Sequence, residues 1–208
     1  MARGRFITFE GIDGAGKSTH IATVQALLQE RGVDVVLTRE PGGTPAGEAL
    51  RDVVLRVPMS MRTETLVMFA ARAEHVEQLI GPALQAGRWV LCDRFTDATY
   101  AYQCGGRGLS EAQVAALQAW VHPDLQPDLT LLFDIDPAIA AARLARARAA
   151  DRFESEPAAF FGRVRATYLA RARQHAARVA VIDADGSAAE LRERVRHALD
   201  AAIARWSR

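Results

Sequence analysis

The sequence predicts an α/β fold in three layers, a five-stranded parallel sheet with helices on both faces, in a single domain covering residues 1–208. Short apolar runs of strand length alternate with longer stretches of helical periodicity along the whole chain. The strand runs are mainly apolar, as strands buried on both faces are. The first of them ends in a glycine-rich turn that opens directly onto a helix. No repeat, low-complexity tail or Pro/Ser-rich linker divides the chain.

Taken in order, Phe6–Glu10 is the first strand and Lys17–Glu30 the first helix, its apolar stripe set by Ile21, Val24, Leu27 and Leu28. Val33–Thr38 follows as a strand, then helices over Pro45–Arg56 and Thr63–Gln85, then the strand Trp89–Asp93. Ser110–Val121 is helical and Leu129–Asp134 is the fourth strand. Asp136 and Pro137 have the chemistry of a helix cap and first position, which starts a helix over Pro137–Ala149. Helices over Pro157–Ala177 and Ser187–Arg205 flank the fifth strand, Val179–Asp183. In such a sheet, ligands gather at the carboxyl ends of the strands.

Half of the residues are hydrophobic and 25% are charged, an ordinary globular balance with enough apolar side chain for one core. A net charge of +1 argues against a nucleic-acid surface. No apolar run approaches membrane length, and Met1–Arg5 leads straight into a strand, so neither a signal peptide nor a span is expected and the location is cytoplasmic. Cys92 and Cys104 lack CxxC spacing and read as reduced thiols without a metal role. The five histidines are scattered and read as solvated or capping.

The turn after the first strand is Gly11-Ile12-Asp13-Gly14-Ala15-Gly16-Lys17-Ser18, followed by Thr19. This is the G-x-x-x-x-G-K-S phosphate loop, in the strand–loop–helix setting that the motif requires. Its glycines let backbone N–H groups wrap an anion, Lys17 reaches the β- and γ-phosphates of ATP, and the Ser18 hydroxyl ligates Mg²⁺. Lys17 is the only lysine among 26 lysine and arginine residues. A surface cation tolerates exchange to arginine, whereas a compact ammonium inside a crowded loop does not. The fold class is therefore that of the P-loop NTPases.

The strand ends carry the other informative strings. Thr38-Arg39-Glu40-Pro41-Gly42-Gly43-Thr44 follows the second strand and Asp93-Arg94-Phe95 the third; Met68-Phe69-Ala70-Ala71-Arg72 lies between them, and Tyr100–Gly108 lies beyond. From about Arg5 to the last helix the chain resembles the thymidylate kinases of the bacterial type, with R-E-P-G-G-T as its most specific element. The resemblance implies transfer of the ATP γ-phosphoryl group to dTMP with Mg²⁺, by a homodimer packed through apolar helices such as Thr63–Gln85.

The same resemblance implies the site roles. Arg94 grips the dTMP phosphate as a bidentate fork. Arg39 approaches that phosphate from the cis-prone Glu40-Pro41 link, and Asp13 sits near the sugar 3′-hydroxyl. Asp93 ends its strand as a Walker-B-like acid that orients Mg²⁺ waters. Base selection falls to Arg72, Thr99 and Gln103, with an arginine donor at thymine O4 rejecting cytosine. Tyr102 lies under the deoxyribose. In many relatives an aromatic stacks on thymine four residues before the arginine; here that position is Met68, and Phe69 is three before it. Either Phe69 stacks or Met68 makes a softer contact, and the other is core.

A lid is expected at about residues 143–155, where Arg143, Arg146, Arg148 and Arg152 fall in an Ala-rich stretch. Gly14 stands where one class of relatives carries a loop arginine, so the resemblance gives the transition-state cation to the lid, to Arg146 or Arg148. An arginine-rich helix taken alone is equally a solvated face. The nucleophile is a phosphate oxygen with a second pKa near 6, so no general base is required. Two alternatives fit the motifs less well: a deoxynucleoside kinase, which needs a base and a different sequence after Glu40-Pro41, and a non-enzymatic guanine-nucleotide switch, whose Asn-Lys-x-Asp reader is impossible in a chain without asparagine.

Overall fold

The structure, a computed structural model, describes residues 3–145 and 156–207. Five strands form one parallel sheet: β1 (Phe6–Glu10), β2 (Val35–Arg39), β3 (Trp89–Asp93), β4 (Leu129–Asp134) and β5 (Val179–Asp183). Their order is β2-β3-β1-β4-β5, so β1 occupies the centre and the chain crosses over through helices between parallel neighbours. Every residue of β1 is buried, the polar Thr8 and Glu10 included, as its central place in the sheet requires.

Alternation along β1 sends Ile7 and Phe9 into a cluster with Val24 and Leu28 of α1 (Lys17–Gln29). Phe6 faces the other way, into a cluster with Ile80 and Leu84. Residues α2 (Pro45–Arg56) and α3 (Met61–His75) begin at Thr44 and Ser60, whose side chains accept the backbone N–H groups of Gly47 and Thr63. The predicted helix Thr63–Gln85 is broken into α3, a π-helical turn over Val76–Ile80 and α4 (Gly81–Gln85). Pro82 has no N–H and crowds the preceding turn, and the Gly81 N–H reaches back five residues to Val76 O.

Three further differences have local causes. Val33 lies in the turn that closes α1, not in a strand: Gly32 turns left-handed at φ 74° and the Val33 N–H returns to Leu28 O at 3.0 Å. A helical segment absent from the sequence reading, α5 (Thr96–Thr99) continuing as a π-helical stretch over Tyr100–Gly106, follows β3. Three of the five histidines, His20, His75 and His122, are buried rather than solvated.

The remaining helices are α6 (Glu111–Val121), α7 (Pro137–Ala145), α8 (Ala158–Gln174) and α9 (Ala188–Trp206), the last opened by a capping box between Ser187 and Glu190. In register, Arg39 of β2 and Phe9 of β1 both lie against Asp93 of β3. The carboxyl ends of the three strands therefore meet at one level, where the site is found.

Candidate active site

The phosphate loop leaves β1 and wraps the start of α1. Gly14 has φ 83°, and a Cβ there would lie 2.3 Å from Ala140 O, so only glycine fits. Gly16 caps α1 at φ 92° without a side-chain hydrogen bond, which leaves the first-turn N–H groups available to an anion. Ile12 and Ala15 are the buried underside of the loop, and Thr19 is exposed on the first turn of α1. Lys17 is 5% exposed, and its Nζ donates to Gly11 O and Ile12 O at 3.0 Å each. Its pKa lies below the usual lysine value because of burial, reinforced by Arg94 and opposed by Asp13, Asp93 and Glu10.

Arg94 is the one non-glycine residue with positive φ among the described residues, at 70°. Its backbone N–H donates to Phe9 O at 3.0 Å, and the N–H of the next residue, Phe95, donates to Glu10 Oε1 at 2.7 Å. Two strand-end acceptors thus hold a backbone conformation that arginine rarely adopts. The guanidinium donates to Asp13 Oδ1 at 2.8 Å and to the hydroxyls of Tyr102 and Tyr168 at 3.2 Å, and it lies 4.9 Å from the Tyr102 ring centre. Burial pushes Asp13 up, but Arg94 and Lys17 outweigh it and hold the carboxyl below the usual range. Tyr168 in turn donates to Glu10 Oε2 at 2.7 Å. Glu10 is fully buried, and burial together with the nearby Asp97 carboxylate raises its pKa to about 7.

A cleft of about 280 Å³ runs from this point. Asp13 and Ser18 of the phosphate loop line it with Asp93 and Arg94, together with Arg39, Glu40, Pro41, Met68, Arg72, Thr99, Tyr102 and Gln103. The Glu40–Pro41 bond is cis. Arg72 is 3% exposed and clamped, donating from Nε to Glu40 Oε2 at 2.7 Å and from Nη2 to Thr99 Oγ1 at 3.1 Å. Its Nη1 is buried without a partner, as is Oε1 of Gln103. Glu40 also accepts from His75 Nδ1 at 3.1 Å, and these partners overcome burial to lower its pKa. Arg39 is half exposed and pairs with Glu48 at 2.9 Å.

Met68 faces the cleft, whereas Phe69 packs in a core cluster with Tyr100 and Val114, its ring 4.7 Å from the Arg72 guanidinium carbon. Arg51, Val54, Leu55 and Ala98 line the cleft without having been singled out in the sequence. Arg51 lies seven residues into α2 and donates to Pro41 O at 2.9 Å. The turn that carries R-E-P-G-G-T was its only signal. Arg146, Arg148 and Arg152 lie outside the described residues. Arg143, at the predicted start of the lid, donates to Ala184 O at 3.0 Å and is tied to the end of β5.

Asp93 Oδ1 is buried without a hydrogen-bond partner and, with the exposed Ser18, supplies the hard oxygen donors Mg²⁺ takes. Among the described residues no three His, Cys, Asp or Glu side chains group closely enough to hold a metal ion. Mg²⁺ here would rely on phosphate oxygens, its usual mode in phosphoryl-transfer sites.

A phosphate-wrapping loop at the centre of this parallel sheet, opening into a second arginine-lined cleft, defines a P-loop kinase that acts on a small phosphorylated acceptor. The sequence model of the family described as thymidylate kinase matches residues 9–195, and this chain belongs to that family. Curated thymidylate kinases from Bordetella pertussis and Bordetella petrii are 62% and 57% identical to it, the first over 87% of both chains, the second over 96% of this chain and 97% of its own. A crystal structure of thymidylate kinase from Ehrlichia chaffeensis is similar at a TM-score of 0.77 and 33% identity, covering 95% of this chain and 99% of its own.

Proposed function

We propose that this chain transfers the γ-phosphoryl group of ATP to dTMP, giving ADP and dTDP, with Mg²⁺ as cofactor. One observation carries the reading: Asp13, Ser18 and Arg94, beside the Lys17 loop, line one end of a continuous cleft, and the other end is lined by Arg72 and Gln103, whose Nη1 and Oε1 are buried without partners. The first end suits phosphates and the second suits a base edge with one acceptor and one donor.

The acceptor phosphate is ionised near neutral pH, so the residues align two phosphates and offset their charge rather than remove a proton. Arg94 forks onto the acceptor phosphate, exchanging its Asp13 partner for phosphate oxygens. Lys17 serves the donor phosphates from within the loop. Ser18 would hold Mg²⁺ and Asp93 would orient its waters, and the ion would supply further charge neutralisation. Arg146 or Arg148 is the transition-state cation in this reading. Met68, not Phe69, meets the base, and Tyr102 lies by the sugar. Glu40 is unsuited to act as the base of a nucleoside kinase, since both its oxygens are engaged and its pKa is lowered.

A homodimer and a cytoplasmic location belong to the same proposal. Val53 on α2, Val57 just beyond its end and Leu66 on α3 are exposed apolar side chains at two packed helices, a face suited to a second copy. No helix among the described residues is long and apolar enough to cross a membrane. The test is an ADP-release assay with ATP and Mg²⁺ against dTMP, dUMP, UMP, dCMP and thymidine, with products identified. Rapid conversion of dTMP to dTDP is expected; turnover of thymidine in its place would move the protein to the nucleoside kinases.

A further inference from the structure

Behind Gln103, which lines the cleft, lies a buried carboxylate that the phosphate chemistry does not use. Glu64, in the first turn of α3, is fully buried and accepts from Gln103 Nε2 at 2.9 Å. Arg107 Nε lies 3.3 Å from the same carboxylate oxygen. An ion-paired carboxylate at a helix N-terminus is an acceptor only. The Gln103 amide therefore has one allowed orientation, because turned over it would set its oxygen against a carboxylate oxygen. That orientation leaves Gln103 Oε1 buried and unpartnered on a side chain that lines the cleft. Arg72 is the converse case, a donor left unpartnered because Glu40 and Thr99 hold its other nitrogens.

We infer that Glu64 is a positioning residue for base selection, holding the Gln103 amide so that an acceptor faces the cleft that the Arg72 donor also faces. The inference rests on the dTMP kinase reading and extends it to a residue outside the cleft lining. Thymine and uracil carry an oxygen at position 4 and a hydrogen on N3, which match that donor and acceptor. Cytosine reverses both groups and would leave two buried wall groups unpaired, the arrangement that discriminates strongly.

Wild type, Glu64→Gln and the double variant Glu64→Gln/Gln103→Glu test this with dTMP and dCMP, kcat and KM being measured separately. In Glu64→Gln the new amide can donate to Gln103 Oε1, and Gln103 Nε2 is free to turn into the cleft. The KM for dTMP then rises, the KM for ATP moves less, and the dTMP-over-dCMP ratio of kcat/KM falls by about tenfold or more. The double variant exchanges carboxylate and amide, conserves charge and returns an acceptor to the cleft, so the ratio recovers to within about threefold of wild type. An unchanged ratio in Glu64→Gln, or a double variant as unselective as the single one, overturns the assignment. If Glu64→Gln does not fold, the double variant decides alone, retained selectivity supporting the role and lost selectivity overturning it. A wild-type protein that does not phosphorylate dTMP sinks the kinase reading and this inference with it, an outcome separate from any variant.

Discussion

The two ends of the cleft are built on opposite rules. At the phosphate end every cation already has partners in the protein: Lys17 holds two loop carbonyls, and Arg94 holds Asp13 and two tyrosine hydroxyls. In the proposed reading a phosphate would bind there by displacing weaker acceptors with a stronger one. At the base end Arg72 and Gln103 are fixed from behind by Glu40, Thr99 and Glu64, and each keeps one buried polar atom unpaired. Charge attracts from many directions, whereas telling one base from another needs a donor and an acceptor whose directions are set in advance. Substitutions at the first end should therefore weaken turnover of every acceptor, and those at the second should change which acceptor is used.

The largest effect expected is that of Lys17→Arg. The ammonium sits 3.0 Å from two carbonyl oxygens inside the loop, and a planar guanidinium is too large for that space. We expect kcat to fall by on the order of a thousandfold or more, as when a catalytic cation is lost from a phosphoryl-transfer site. Near-wild-type turnover would show that charge alone suffices and would erase the contrast between the two ends. Arg94→Ala comes next, with the dTMP KM rising roughly a hundredfold and the ATP KM moving far less. Steady-state kinetics with each substrate varied checks this, and equal changes in both would remove Arg94 from the acceptor side.

The two ends also differ in how legible they were. The phosphate loop is eight consecutive residues, so its chemistry is written in one string, and Asp93-Arg94 is adjacent to a strand that the apolar pattern marks. The base end is assembled from Glu40, Glu64, Arg72, Thr99 and Gln103, which no local spacing connects. Its residues were reached through family resemblance, and Glu64 was not reached at all. Tyr168 escaped for the same reason, since its partner Glu10 lies 158 positions earlier. The helical stretch Thr96–Gly106 was missed because Gly105-Gly106 reads as a turn. There the glycines serve packing: a Cβ on Gly105 would lie 2.1 Å from Thr167 Oγ1, and one on Gly106 2.4 Å from the Phe160 ring. Met68 and Phe69 could be told apart only once α3 was seated, one facing the cleft and the other the core.

A smaller and more selective effect is expected from Arg72→Lys. Lysine retains the charge opposite Glu40, avoiding an unpaired buried carboxylate, but it cannot hold Glu40 and Thr99 while presenting a further nitrogen to the base. The ratio of kcat/KM for dTMP over dCMP should fall by about tenfold to a hundredfold. Competition between the two substrates in one tube reads that ratio directly. A general loss of activity at constant ratio would mean that Arg72 acts through folding and not through base selection.

The smallest effect on turnover, and the most informative about what lies beneath Arg94, is expected from Glu10→Gln. Glu10 receives the Phe95 N–H and the Tyr168 hydroxyl, so it supports Arg94 through both backbone and side chain. Burial is the main reason its pKa rises from 4.5 to about 7; Asp97 adds to it, while Arg94, Tyr168 and the Phe95 N–H oppose it. A carboxyl whose folded pKa is raised stabilises the fold in its protonated form. Its contribution is complete below about pH 4.5, fades as pH rises through 7, and above that the buried charge costs roughly 3 kcal/mol. Glutamine at position 10 is neutral throughout and can still accept from the Phe95 N–H. The unfolding free energy of wild type relative to Glu10→Gln should therefore decline between pH 4.5 and 7 and level off above it, measured by urea denaturation across that range. A difference that stays flat from pH 5 to 8 would mean that Glu10 remains in one protonation state. The phosphate end would then rest on a fixed support, as the base end does.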